Sequence, residues 1–141
     1  MVEHNIDFRI YYEDTDAGGV VYHARYLGLA ERARTEAIRA QGRSASDLLA
    51  EYGLAFVVRQ ATIDYRAPLR LDDIVRVTTR LTELGAASCR LIQHFHRVGA
   101  KEGEGPGCGT LDVRLACVRA LDGRAARFPP PWRDLLGALV A

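Results

Sequence analysis

Twelve consecutive residues, Tyr12-Glu13-Asp14-Thr15-Asp16-Ala17-Gly18-Gly19-Val20-Val21-Tyr22-His23, hold the densest set of reactive side chains in the sequence. Glu13, Asp14 and Asp16 place three carboxylates within four residues, Gly18 and Gly19 follow, and a helical period begins at about Tyr22. An acid just ahead of a helix has two uses. As a cap, Asp14 or Asp16 accepts hydrogen bonds from the first helical N–H groups, worth about 1 kcal/mol. As a reactive group, it stays ionised beside the positive end of the helix and is available as base or nucleophile. Free N–H donors at the same helix end polarise a carbonyl oxygen. Gly18 and Gly19 let a substrate approach the backbone closely. A carboxylate beside an oxyanion site is an arrangement for acyl transfer, and residue types alone leave both uses open.

The elements that must position this segment follow from periodicity. Asn5 to Tyr12 alternates and is rich in aromatic and β-branched residues, which predicts a strand. From Tyr22 to Gln41 the period is helical, with Tyr26, Leu29, Ala30, Ala33, Ala37 and Ala40 on one stripe. Arg32, Thr35, Glu36 and Arg39 fall opposite, where Arg32 and Glu36 are spaced for an ion pair. Because most of the stripe is Ala, the helix axis can lie close to whatever it packs on. Ser44 or Ser46 caps a short helix through Leu48, Leu49 and Tyr52, closed by Gly53. Four strands are then expected over 56–66, 74–84, 88–98 and 110–120, and a short helix over 132–140 after the extended Pro129-Pro130-Pro131. One long helix early in a strand-rich chain implies a single α+β domain over 1–141, with that helix against one sheet. A sheet covered by one helix leaves an edge or face open, so a partner subunit is expected.

Composition sets bounds. The chain has 141 residues, 48% hydrophobic and 26% charged, enough for one domain with a real core. A formal net charge of +1 gives no global field to attract nucleic acid. All but one of the nineteen basic residues are arginine, the exception being Lys101, so an abundance of Arg carries little weight by itself. Cys89, Cys108 and Cys117 are odd in number and form no C-x-x-C pair, which excludes a disulfide framework or a zinc knuckle. No apolar run is long enough for a membrane span, and Glu3, His4, Asp7 and Arg9 interrupt any leader, so a cytoplasmic location is expected.

Other constellations are weaker. His94 and His96 share a strand face, but no third ligand has metal-site spacing, so no metal is expected. Cys89 and Cys117 lie on strands, away from any helix start that would activate a thiolate. Gly103-x-Gly105-x-Gly107 imitates a phosphate loop, yet Glu102 and Glu104 would repel phosphate and a strand follows it.

The segment Tyr12 to His23 resembles the signature of the 4-hydroxybenzoyl-CoA thioesterase family, in particular its Tol-Pal-associated, YbgC-like acyl-CoA thioesterases. The resemblance continues through Tyr26, Glu31-Arg32-Ala33-Arg34, Phe56-Val57-Val58-Arg59, Ile63-Asp64-Tyr65, Pro68 and Leu71-Asp72-Asp73. It implies the hotdog fold, a curved antiparallel sheet wrapped around one long central helix. It further implies hydrolysis of an acyl-CoA to acid and CoA, with no cofactor beyond the coenzyme A of the substrate. Asp16 becomes the catalytic carboxylate, and backbone N–H groups near Tyr22 and His23 hold the thioester oxygen. Tyr22 and His23 line the reacting end, and Gly18, Gly19 and Val20 border it. Glu31 lines the acyl pocket of a neighbouring subunit or forms a surface ion pair with Arg34. Arg59 is one of several arginines, with Arg66, Arg70, Arg80 and Arg90, suited to CoA phosphates. Side-by-side dimers pairing into a homotetramer are implied, and the glycine-rich segment 99–109 is longer than the family's hairpin. Two rival readings remain: a hotdog acyl-CoA hydratase, and a non-catalytic module that binds acyl-CoA or acyl carrier protein. Binding alone would not require the Asp-Thr-Asp acid, and a hydratase would need an Asp and His pair on a longer loop.

Overall fold

Strict alternation gives the sheet one apolar face. Val75, Val77 and Leu81, then Cys89, Leu91 and Phe95, then Leu111, Val113, Leu115 and Cys117 are all buried on it. The structure, a computed structural model, describes residues 3–99 and 107–140. Five strands, β1 (His4–Arg9), β2 (Leu54–Tyr65), β3 (Ile74–Leu84), β4 (Ser88–Arg97) and β5 (Gly109–Arg119), form one sheet in the order β1-β3-β4-β5-β2. Every pairing is antiparallel. Helix α1 (Arg25–Arg39) lies on the apolar face, α2 (Ala45–Tyr52) leads into β2, and α3 (Pro130–Val140) closes the end beside β3. The architecture is the α+β hotdog arrangement.

The alanine stripe does what its small side chains allow. Ala30, Ala33 and Ala37 are fully buried. The buried Gln93 of β4 donates from its amide to the Ala30 carbonyl of α1 at 2.9 Å and to Thr79 Oγ1 at 3.0 Å. Ala40 is exposed, and Arg34 occupies a buried position on the helix instead. Glu36 pairs with Arg39 at 3.3 Å, the i,i+3 neighbour nearer the negative end of the helix, in place of the expected Arg32. No ion pair links Glu31 to Arg34 among the described residues.

Three boundaries differ from the periodicity. β1 stops at Arg9, and Tyr12–Asp14 form a 3₁₀ turn because Asp14 captures the Tyr11 N–H. α1 begins at Arg25, since Tyr22 to Ala24 are a turn whose first N–H is bonded elsewhere. α3 starts within the proline run at Pro130, where the missing N–H of proline is no loss. The α2 boundaries follow the expected punctuation, with Ser44 and Asp47 in a reciprocal capping box and Gly53 at φ 66° as the stop.

β2 is a twelve-residue edge strand with a bulge between Val58 and Gln60, and it leaves Val57 and Val58 43% and 53% exposed. Its far end is held tightly. Gly109 sits between Phe95 of β4 and Tyr65 of β2, and a Cβ there would stand 2.7 Å from the Asp64 carbonyl oxygen. Residues 100–106, which include Gly103, Gly105, Glu102 and Glu104 of the glycine-rich segment, lie outside the described residues.

At the other end, Trp132, Leu136 and Leu139 of α3 are buried, and the Trp132 ring packs near Phe56 of β2 at 6.1 Å between centroids. Leu136→Ala should therefore cost about 2–5 kcal/mol in urea unfolding, the range for a fully buried leucine. A loss under about 1 kcal/mol would show α3 to be loosely docked.

Candidate active site

The acids of the Tyr12–His23 segment divide by environment. Asp14 is buried, and both of its oxygens are engaged: Oδ2 accepts from the Tyr11 N–H at 2.8 Å and Oδ1 from Arg25 Nε at 2.6 Å. Its carbonyl accepts the Tyr22 N–H at 2.9 Å. Asp14 therefore ties the end of β1, the 3₁₀ turn and the first residue of α1 into one unit. Glu13 stands 3.6 Å from Arg25 with its side chain mostly in water.

Asp16 is exposed at the tip of the next turn. Its N–H donates to Val20 O at 2.9 Å, and its carbonyl accepts from Gly19 N–H at 3.0 Å. Gly18 N–H donates to Asp16 Oδ1 at 2.8 Å, and a Cβ on Gly18 would sit 3.2 Å from that oxygen. Gly19 has φ +80°, so the turn needs a glycine there. Both flanks are pinned, Thr15 by a bridge to Val21 and Val20 by a bridge to Arg70. One carboxylate oxygen is thus fixed in direction, and Oδ2 makes no hydrogen bond to a described residue.

The helix start supplies the donors. The Tyr22 N–H is spent on Asp14, while the N–H groups of His23 and Ala24 meet no acceptor among the described residues. No side chain caps α1 at Ala24. Of the two expected N–H donors, that of His23 is free and that of Tyr22 is not. The His23 carbonyl has its own partner, the Tyr65 hydroxyl, which donates to it at 2.6 Å. The Tyr65 ring meets the edges of Tyr26 at 5.1 Å and His23 at 6.4 Å. Burial raises the Tyr65 hydroxyl above its usual pKa and pushes Tyr26 up to about 12, so both stay protonated near neutrality and Tyr65 remains a donor.

Asp16, Val20, His23, Tyr26, Tyr65 and Arg66 line one cleft of about 350 Å³. Gly18 and Gly19 border it through the Asp16 turn. The Tyr22 ring lies against His23 at 4.5 Å but lines a separate hollow with Glu13, Arg25 and Gly28. Glu31 is exposed on α1 beside another pocket, and Arg59 is exposed at the β2 bulge beside Glu83, Arg90 and Arg114. A single chain thus gathers Asp16, Gly18, Gly19, Val20 and His23, and leaves Glu31 and Arg59 elsewhere. The sequence reading did not place Tyr65 or Tyr26 at the site. Their contribution depends on the sheet bringing the end of β2 to the helix start, and the signal in the sequence was their place among the residues that carry the family resemblance.

Alternative chemistry finds less support in the geometry. Burial raises all three thiols, Cys89 to about 12, which leaves them protonated and poor nucleophiles. His94 and His96 stack at 6.1 Å, with burial first and then Arg80, His96 and Arg66 lowering the His94 pKa. Those neighbouring positive charges disfavour a bound cation.

Comparison with known proteins gives the family. The model of the thioesterase-like superfamily matches residues 11–136. The acyl-CoA thioesterase YbgC of Haemophilus influenzae is 48% identical over 131 residues, 92% of each chain. The acyl-CoA thioester hydrolase YbgC of Escherichia coli is 54% identical over 121 residues, 86% of each. Among solved structures, a probable thioesterase from Bartonella henselae superposes with a TM-score of 0.81 at 33% identity, covering 91% of this chain and 100% of that one. The chain belongs to the thioesterase-like superfamily, within its YbgC group of thioester hydrolases.

Proposed function

We propose that this chain hydrolyses an acyl-CoA thioester to the free carboxylic acid and coenzyme A, with Asp16 as the reacting carboxylate. The observation that carries the assignment is the contrast between the two aspartates. Asp14 is consumed by structure, whereas Asp16 is held by one oxygen, keeps the other free, and lines the same cleft as His23, whose N–H is unpartnered. That N–H is where negative charge on the thioester oxygen would be stabilised. The turn around Gly18 and Gly19 fixes the carboxylate before substrate arrives, so little reorganisation is needed.

Two routes use the same oxygen. In one, Asp16 attacks the thioester carbon, the C–S bond breaks, and water then cleaves the resulting mixed anhydride. In the other, Asp16 takes a proton from a water that attacks directly. Turnover in ¹⁸O-water separates them: label enters the Asp16 carboxylate only by the first. His23, whose ring lines the cleft and rests against Tyr22, is assigned the leaving-group side, where the CoA thiolate needs a proton. Arg59, exposed and without a carboxylate partner among the described residues, is the arginine we assign to a CoA phosphate. Arg90 is already bound to Asp112 and Glu83. An acyl group carried on acyl carrier protein presents the same thioester and is a second form of substrate in this reading.

The site is proposed to be completed by a second copy. β2 is an unpaired edge with exposed valines, and antiparallel pairing of two β2 strands about their midpoint opposes Ala55–Val58 of one to residues 61–64 of the other. That brings the Glu31 pocket of one copy towards the Asp16 cleft of the next. Two such dimers form the proposed cytoplasmic tetramer. Light scattering at micromolar concentration should give a multiple of 15.6 kDa, and a 15.6 kDa species alone would overturn the composite site.

Asp16→Asn should remain folded and lose at least about a hundredfold in kcat for thiol release, the lower end of general-base contributions. Asp14→Asn should instead lower stability by about 1–3 kcal/mol through loss of its charge-assisted bond to Arg25, with a smaller effect on kcat. Near-normal turnover by a well-folded Asp16→Asn protein returns Asp16 to a purely local role. Tyr65→Phe should lower kcat about tenfold with KM little changed, equivalent to ~1.4 kcal/mol of transition-state stabilisation. Unchanged kcat in Tyr65→Phe would mean that the helix start is rigid without the hydroxyl.

A further inference from the structure

Arg34 is buried on α1, with 8% of its surface exposed, and forms no hydrogen bond or ion pair with any described residue. Such a group is costly, because a guanidinium with little access to water keeps its charge and its five donors. The acids on the same helix do not meet that need. Glu31, one turn earlier, is exposed, and Glu36 is bound to Arg39. Burial depresses the Arg34 pKa, and Glu31 and then Cys89 oppose the shift.

The guanidinium lies in the wall of a pocket of about 450 Å³ between α1, α2 and β2. Ile38, Leu49, Phe56 and Val58 make the other walls largely apolar, and Glu31 stands at the solvated rim. An apolar chamber with one buried cation fits a ligand with a hydrocarbon body and one anionic end. A carboxylate matches the planar fork of arginine with two parallel hydrogen bonds. A phosphate group, bulkier and carrying up to two charges, fits a single cation and apolar walls less well, and Glu31 in the same lining repels a doubly charged group more than a singly charged one.

This pocket is about 13 Å along α1 from the helix start, by the rise per residue between Arg25 and Arg34. It lies at the Ala55–Val58 end of β2, whereas the Asp16 cleft lies at the Tyr65 end. Pairing of two β2 edges brings the two ends together. We infer that Arg34 is a specificity residue, and that the enzyme favours acyl groups whose far end carries a carboxylate, bound by Arg34 of the copy facing Asp16. This rests on the hydrolase reading and on the composite site.

The test uses CoA thioesters of four to eight carbons in matched pairs, such as glutaryl-CoA and valeryl-CoA, which differ in a terminal carboxylate. Wild-type kcat/KM should be at least about tenfold higher for the dicarboxylic member at one or more lengths, the scale of one charge-assisted pair. Arg34→Met should erase that preference, chiefly through KM, and leave the monocarboxylic series within about threefold. Arg34→Lys should keep part of it. No preference in the wild type, or an equal loss on both series in Arg34→Met, overturns the proposal, and the wild-type result stands even if the variant fails to fold. Titration of the same thioesters into Asp16→Asn protein separates the two layers. Selective binding without turnover in the wild type sustains Arg34 and refutes the hydrolase reading, whereas turnover without selectivity refutes Arg34 alone.

Discussion

The close approach of α1 to the sheet is the constraint on which the rest of the molecule depends. Ala30, Ala33 and Ala37 bring the helix backbone near enough for the Gln93 amide to reach the Ala30 carbonyl, an acceptor ordinarily used only within its own helix. Larger residues there would lift the helix, open voids beneath it and break that hydrogen bond. With the helix seated, its first turn has one possible location, beside the end of β2. Only then can the Tyr65 hydroxyl reach the His23 carbonyl, and only then does His23, whose N–H is free, line the Asp16 cleft.

Within the acidic segment, the division between Asp14 and Asp16 shows how environment assigns roles to identical side chains two residues apart. Asp14 is surrounded by donors and spends its charge on them, which makes it the anchor of the loop. Asp16 gives one oxygen to Gly18 and keeps the other exposed. The glycines serve this arrangement directly. Gly19 supplies the positive φ, and the absence of a side chain at Gly18 keeps the fixed oxygen uncrowded. A turn built from ordinary residues would hold the aspartate less closely or point it elsewhere.

Much of this was legible in the sequence wherever the cause is local. The strand order of hydrophobicity, the alanine stripe, the Ser44 cap and the Gly53 stop are short-range patterns, and the structure follows them. The Asp-Thr-Asp segment stood out because acids, glycines and a helix start coincide within twelve residues. What escaped depended on contacts far apart along the chain. Tyr65 meets His23 across 42 positions, and Arg34 is buried where a surface ion pair with Glu31 was one of two readings. The true start of α1 was hidden for a related reason: Tyr22 looks helical by period, but its N–H belongs to Asp14. Local pattern shows which elements exist, and tertiary pairing decides which donors and acceptors remain free.

Gly109 makes the site vulnerable from a distance. It bears no reactive group and lies on β5, yet it lets the backbone of β2 come close where Asp64 and Tyr65 end the strand. An alanine methyl would press on the Asp64 carbonyl oxygen, and the relief available is outward movement of this strand end, which carries Tyr65 away from the helix start. In a library of random variants, Gly109 should therefore sort with the inactive clones although its side chain can touch no substrate. A mutational map would outline the β5–β2 seam as part of the catalytic apparatus, and redesign of the cleft would have to treat that seam as fixed.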